Sequence, residues 1–381
     1  MNSLFRDTTM YHISGTKFFR LGSRKVLGYG GNHQNKSDNL RSIYVSDGWR
    51  AELRPKYVQY LKTGDISIFT AEEQTYVRPM LQCDQAGAEA LIVSKLLKPG
   101  NKLDLLFKNK IKPHTYLGCF FPQTWIDEGY PQVDTIRMLP IPKVKEHEGW
   151  AALAKAIADS DGAQAPKVRH YYLYKQTCHS GNYGIKAPTF ILNILEKSGG
   201  KVVLSNRQGE EFLGAYHTMV PELREWWAEM EVEVRKTGMV HNLFGDPITF
   251  TQELKDSDLK DVYAATPQST VGCITNNAYV KFQDHIEENK KQWDMLVNCH
   301  DSILIQCPIH ETREAAKILK SCIEQDLISP RGEKFKMRSE TQIGFNWSKG
   351  KKVKDKIDEC DPKQIEKFNL DGLKEVNWLW T

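Results

Sequence analysis

The chain has 381 residues, 40% of them hydrophobic and 26% charged, with a formal net charge of +4. That is long enough for one large or two to three smaller domains with a sizeable core, and the mild charge means that any nucleic-acid surface must be local. No 18-residue apolar run and no apolar signal core at the N-terminus are present, which argues against a membrane span or a secretory leader and points to a soluble, cytoplasmic protein. The eight cysteines include no C-x-x-C pair and no zinc-finger spacing, so they read as buried thiols of a reduced compartment.

In chain order, residues 1–45 are polar and rich in Gly, Asn and Ser, apart from the basic and aromatic "KFFRLGSRK". They read as loops with short strands. Residues 78–97, "RPMLQCDQAGAEALIVSKLL", predict a short strand ending at Asp84 and a helix from about residue 86. Between 98 and 165, Pro-Gly breaks alternate with a helix at "GWAALAKAIADS". Residues 167–179 have helical character and lead into "SGNYG". Residues 209–240 read as helix, with Trp226 and Trp227 in the middle, and 270–297 read as helix and then strand.

Residues 295–307, "MLVNCHDSILIQC", place His300 and Asp301 between two apolar runs. Two short strands joined by a tight turn account for this, with the acid at the tip. Pro308 then opens an amphipathic helix in which Ile318, Leu319, Cys322 and Ile323 recur at helical spacing. The tail from 348 begins with the lysine run "SKGKKVKDK" and ends in "NWLWT". Trp378 and Trp380 read as an anchor, since exposed tryptophan is uncommon. Helices and short strands without strict alternation predict an α+β fold.

Asp84 and Asp301 occupy the same kind of place, the end of a short apolar strand. Two such carboxylates meeting at the edge of one sheet would suit a pair of divalent cations, and hard oxygen ligands suit Mg²⁺. The alternative is two unrelated surface acids. In "YLYKQTCHSGNYG", Lys175, His179 and Tyr183 fall on one stripe of a helix. A cation, an imidazole and a phenol in that order match a triphosphate, a sugar and a base; the alternative is a solvated helix face.

Together these windows resemble the palm and fingers of the family A DNA polymerases, over about residues 15 to 347. "TKFFRLGS" resembles the family's T-x-x-G-R-L-S segment, with Arg20 in the arginine's place, and "NHQN" resembles N-x-Q-N through Asn32, Gln34 and Asn35. "CDQAGAEA" resembles D-Y-S-Q-I-E-L, matching Asp84 and Glu89. "KPHTYLG" resembles D-I-H-x-x-T through His114, and "KQTCHSGNYG" resembles the fingers motif K-x-x-x-F-G-x-x-Y-G through Lys175, Tyr183 and Gly184. "TPQSTVG" adds Gln268, "CHDSI" resembles the H-D-E motif through His300 and Asp301, and "GFNW" resembles the closing G-x-N-W.

The resemblance implies an antiparallel palm sheet with flanking helices and mostly helical fingers. It divides the chain into 1–114 and 261–347 as palm, 115–260 as fingers with an insertion that includes the 149–159 helix, and 348–381 as a basic tail. It implies addition of dNMP to a primer 3′-hydroxyl, with Asp84 and Asp301 holding two Mg²⁺ ions. Lys175 would serve the triphosphate and the leaving pyrophosphate, with His114 as a second phosphate contact. Tyr183 and Glu89 would favour dNTPs over rNTPs, and His179 would meet the sugar. Arg20, Asn32, Gln34, Asn35, Gln268 and His300 would hold primer-template DNA.

The departures from the pattern define the alternatives. Ser302 stands where the family has glutamate, which is the pattern of single-subunit phage RNA polymerases, whereas Glu89 points to DNA. His179 replaces an aromatic residue, Tyr171 replaces a fingers arginine, and Ser180 replaces the fingers glycine. Only about fifteen residues precede the first motif, which leaves no room for a thumb or exonuclease domain before it. The expectation is a phage-like polymerase, in the host cytoplasm if viral, that is either minimal or completed by a separate chain. A weakly catalytic nucleic-acid-binding subunit is the remaining alternative.

Overall fold

A computed structural model of the chain describes residues 11–12, 22–23, 45–121, 135–159, 170–198, 200, 202–250, 254–350, 359 and 361–380. In chain order the elements used below are helix α1 (Arg54–Thr63), strand β1 (Met80–Gln85), and helices α2 (Ala88–Leu96), α3 (Pro113–Leu117), α4 (Glu148–Asp159), α5 (His170–Gly181), α6 (Asn206–Met219), α7 (Leu223–Thr237) and α8 (Leu259–Glu288). They continue with strands β2 (Asp294–Cys299) and β3 (Ser302–Gln306), helix α9 (Thr312–Ile323), and strands β4 (Ser339–Gly344), β5 (Asn346–Lys349) and β6 (Gly372–Leu373). The mixture of helices with antiparallel sheet is the expected α+β class. None of the described helices is long and apolar enough to cross a membrane.

The chain divides into two compact units. Unit 1 comprises the described parts of Met1–Ala88, Ser269–Leu327 and Lys334–Thr381; unit 2 comprises those of Glu89–Gln268 and Ile328–Glu333. The first and second of these boundaries follow Ala88 in α2 and Gln268 in α8.

Unit 1 is built on a four-stranded antiparallel sheet in the order β4-β1-β3-β2. Strand alternation sorts its side chains between two faces. Leu81, Cys83, Ile303, Ile305 and Ile343 lie in the main core with Tyr57 and Leu61 of α1, Phe282 of α8, and Leu319 and Ile323 of α9. Met80, Leu304 and Cys299 lie in a smaller cluster with Trp347 and Leu373. Asp84 and Ser302 continue the register of this second set toward the sheet's edge.

The segment after 348 contributes to unit 1. Strand β6 pairs in parallel with β5. The carboxylate of Asp371 is buried and accepts from Arg54 Nε at 3.1 Å and Nη2 at 2.8 Å. Trp378 enters the main core, where its Nε1 donates to the Leu61 carbonyl at 3.2 Å. Gly64 ends α1 in the left-handed region at φ 68°; a Cβ there would lie 2.4 Å from the Trp378 ring. Trp380 stays 40% exposed, under the ammonium of Lys320. Trp378, one of the two tryptophans expected to form an anchor, docks on its own chain. Most of the lysine run lies outside the described residues.

Unit 2 is mainly helical, and α5 packs against α3 and α6. Aromatic rings fill the space between these elements: Phe121 stacks on Tyr174 at 4.9 Å and touches Phe212 at 4.7 Å. Helix α6 opens with a capping box between Ser205 and Gln208. The amphipathic α4 buries Trp150, Leu153 and Ile157.

Two element boundaries differ from expectation for local reasons. Pro308 is extended (φ −54°, ψ 142°) and leads into a 3-10 turn, Ile309–Glu311, so the helix starts at Thr312. The 209–240 stretch is two helices, α6 and α7, separated by Val220–Glu222; Pro221 lacks the N–H that a continuous helix needs.

Candidate active site

In unit 1, Asp84 sits one residue before the end of β1, directly opposite Ser302 of β3 and Glu340 of β4. His300 and Asp301 form the two-residue turn between β2 and β3. The Asp301 carbonyl accepts from the Gln85 backbone N–H at 2.8 Å. The two aspartates, distant in sequence, are therefore held at one end of one sheet, and both are partly exposed.

The turn is unusual in one respect. His300 has φ 27°, a positive value that a side-chain-bearing residue adopts at a cost. Surrounding bonds hold it there. Thr275 Oγ1 donates to the His300 carbonyl at 2.8 Å and accepts from Gln85 Nε2 at 2.6 Å. Gln85 Nε2 also lies 3.1 Å from the Val271 carbonyl. The buried Gln85 and Thr275 thus tie α8, β1 and the turn together, and sequence reasoning missed both. Their only sequence signal is that polar residues sit among apolar neighbours.

Ser302 is buried, at 1% exposure. Its hydroxyl accepts from Gln82 Nε2 at 3.2 Å, and Gln82 Oε1 accepts from Trp347 Nε1 at 3.0 Å. The serine that departs from the family pattern is therefore part of a satisfied polar chain within unit 1, and the Trp347 of "GFNW" anchors its far end. Glu340, exposed and paired in register with Asp84, is a further carboxylate that the sequence did not single out. Among the described residues, no group of three or more His, Cys, Asp or Glu converges as a metal cage.

In unit 2, α5 carries Lys175 and His179, and Tyr183 follows in the turn after the helix. The three differ in burial: Lys175 is exposed, His179 partly exposed and Tyr183 buried. Tyr183 OH donates to Glu89 Oε2 at 2.5 Å. His179 Nδ1 lies 3.5 Å from the same oxygen, and its ring meets the Tyr183 ring edge-on at 5.6 Å. Glu89, His179 and Tyr183 are one cluster. Gly184, next along, adopts φ 64°, and a Cβ there would meet the Tyr263 ring at 3.3 Å; both features favour glycine.

His114 stands edge-on to Tyr171 of α5, ring centroids 4.8 Å apart. Its Nε2 is buried and has no hydrogen-bond partner among the described residues. Burial, then the charges of Lys112 and Lys175, push its pKa down to about 3, so at neutral pH it is an uncharged imidazole. Gln268 lies on α8, half-buried, next to Pro267. Arg20, Asn32, Gln34 and Asn35 lie outside the described residues.

Residues 166–349 match the model of DNA polymerase family A. Over those residues the chain is similar to the family A DNA polymerases. The matched range includes Lys175, His179, Tyr183, Gln268, His300 and Asp301, while Asp84, Glu89 and His114 precede it. The DNA polymerase of Bacillus phage SP01 is 24% identical over 185 residues, covering 46% of this chain and 19% of that protein. DNA polymerase I of Caldicellulosiruptor bescii is 21% identical over 152 residues, covering 38% of this chain and 17% of that protein. The alignments thus span about a fifth of those curated relatives. Among solved structures, the POL domain of Pol1 from M. smegmatis, in complex with DNA primer-template and dNTP, superposes with a TM-score of 0.58. It is 12% identical, and the match covers 89% of this chain and 48% of that one. The fold is therefore shared with that POL domain across most of the chain.

Proposed function

We propose that the chain is a template-directed DNA polymerase that adds dNMP to a primer 3′-hydroxyl, with unit 1 as palm and unit 2 as fingers. The observation that carries the reading is the backbone bond from Gln85 to the Asp301 carbonyl at 2.8 Å. It brings two carboxylate-bearing residues that are distant in the sequence to one end of one sheet, an arrangement suited to divalent-cation chemistry on phosphate.

The donor set fits Mg²⁺. Two partly exposed carboxylates, with no cage of three or more His, Cys, Asp or Glu among the described residues, suit a cation that keeps water and substrate phosphate in its shell. Asp84 and Asp301 would hold two such ions, which when bound supply charge neutralisation and lower the pKa of the attacking hydroxyl.

The chain's own residues do the rest. Lys175, exposed on α5, binds the triphosphate as a point charge and stands ready to protonate leaving pyrophosphate. His114 contributes an uncharged hydrogen-bonding group beside it. Glu89 and Tyr183, locked by their 2.5 Å bond, occupy the space that a ribose 2′-hydroxyl requires and so favour dNTPs. His179, joined to the same carboxylate, faces the sugar. His300, Gln268, Arg20, Asn32, Gln34 and Asn35 position primer-template DNA, contacts that orient rather than specify.

A single-subunit-type RNA polymerase is the second reading, favoured by Ser302 and opposed by the Glu89–Tyr183 pair. Primer extension with Mg²⁺, giving dNTPs or rNTPs in parallel to wild type and Asp301→Ala, tests both. Extension with dNTPs alone, lost in the variant, is the expected result. Extension with rNTPs alone would promote the second reading. DNA binding without extension, indifferent to Asp301→Ala, would make the chain a binding subunit.

A further inference from the structure

Lys112 belongs to no feature described so far except the surroundings of His114. It is exposed, as is Lys175. Neither makes an ion pair among the described residues. Both act on the same imidazole, that of His114. Lys112 precedes Pro113, the first residue of α3, and is extended at φ −70°, ψ 125°. A residue before proline has little other choice, so its backbone is preorganised. Helix α3 packs against α5, and His114 meets Tyr171 one helical turn before Lys175. The sequence pattern changes at the same two places. Where the resembling family has an acid two residues before its histidine, this chain has Lys112. Where that family has an arginine four residues before its lysine, this chain has Tyr171.

We propose that Lys112 is a second cation of the triphosphate subsite, restoring from α3 the positive charge that Tyr171 removes from α5. The inference rests on the polymerase reading and names a group that the reading itself does not require. Two ammonium groups that both act on the His114 imidazole, neither ion-paired among the described residues, would each gain a charge-assisted contact from a polyanion bound beside that ring. A triphosphate has enough charged oxygens to engage both.

The test uses the full chain with primer-template DNA. The dissociation constant of dNTP and the maximal rate are measured by single-turnover extension for wild type, Lys112→Ala, Lys112→Arg and Lys175→Ala, alongside inhibition by inorganic tripolyphosphate. Lys112→Ala is expected to weaken dNTP and tripolyphosphate binding by about two- to tenfold, with the larger part of the effect in affinity rather than rate. Lys112→Arg restores it, and the loss shrinks as salt is raised. If Lys175→Ala weakens dNTP binding and Lys112→Ala does not, the polymerase reading stands and the role of Lys112 is refuted. If Lys112→Ala weakens primer-template binding instead, the lysine serves DNA and the proposal is overturned. If wild type binds no dNTP, the polymerase reading fails and this inference falls with it.

Discussion

Acidification from about pH 7.5 to about pH 5 is expected to destabilise unit 2 through His114. Its ordinary value of 6.5 is pushed down to about 3 by burial and by the charges of Lys112 and Lys175. Below 6.5 the unfolded chain therefore takes up a proton that the folded chain refuses. Stability falls with pH throughout the window between the two values and levels off only below the lower one. Each pH unit inside the window costs about 1.36 kcal/mol, so the loss reaches about 2 kcal/mol at pH 5. Other groups titrate over the same range, and His114→Gln subtracts them, because the amide is similar in size and carries no titration. Thermal melts of the two proteins across this range should show wild type losing more, by about 4–8 °C at pH 5 for a unit of this size. Parallel pH profiles would refute the reasoning and place His114 in contact with water or an anion.

Two further outcomes follow from single side chains. Glu89→Ala frees Tyr183 OH from its 2.5 Å partner and opens the space beside it; discrimination against rNTPs in primer extension should fall by about 10–100-fold, and unchanged selectivity would remove this pair from sugar recognition. Trp378→Ala empties part of the unit 1 core and strands the Leu61 carbonyl, so chemical denaturation should report a loss of about 3–5 kcal/mol; a loss within error would mean that the tail segment is peripheral to the fold.

Much of the candidate site was legible because its signals are local. Asp84 and Asp301 each stand out where a short apolar run meets a change in polarity. Lys175, His179 and Tyr183 stand out through helical spacing. Gln85, Thr275 and Glu340 did not, because their importance lies in pairing with segments distant in the chain. Glu340 acquires a relation to Asp84 only through the β1–β4 register, and a one-residue slip would have sent it to the other face. The spacing of the α5 stripe likewise says nothing of burial: Tyr183 is buried and bonded to Glu89 of α2, while Lys175 is exposed.

The division follows from the range of the forces. Steric limits at Pro308 and Pro221, the period of apolar residues and the turn chemistry of His-Asp-Ser act over a few residues, so the sequence alone determines the kinds of element, the α+β class and the candidate carboxylates and cations. Desolvation and charge pairing depend on which distant segments pack together. Tertiary structure alone therefore decides that Asp301 meets the end of β1, that burial holds His114 uncharged, that Ser302 is bonded by Gln82, and that Trp378 enters the core of its own unit.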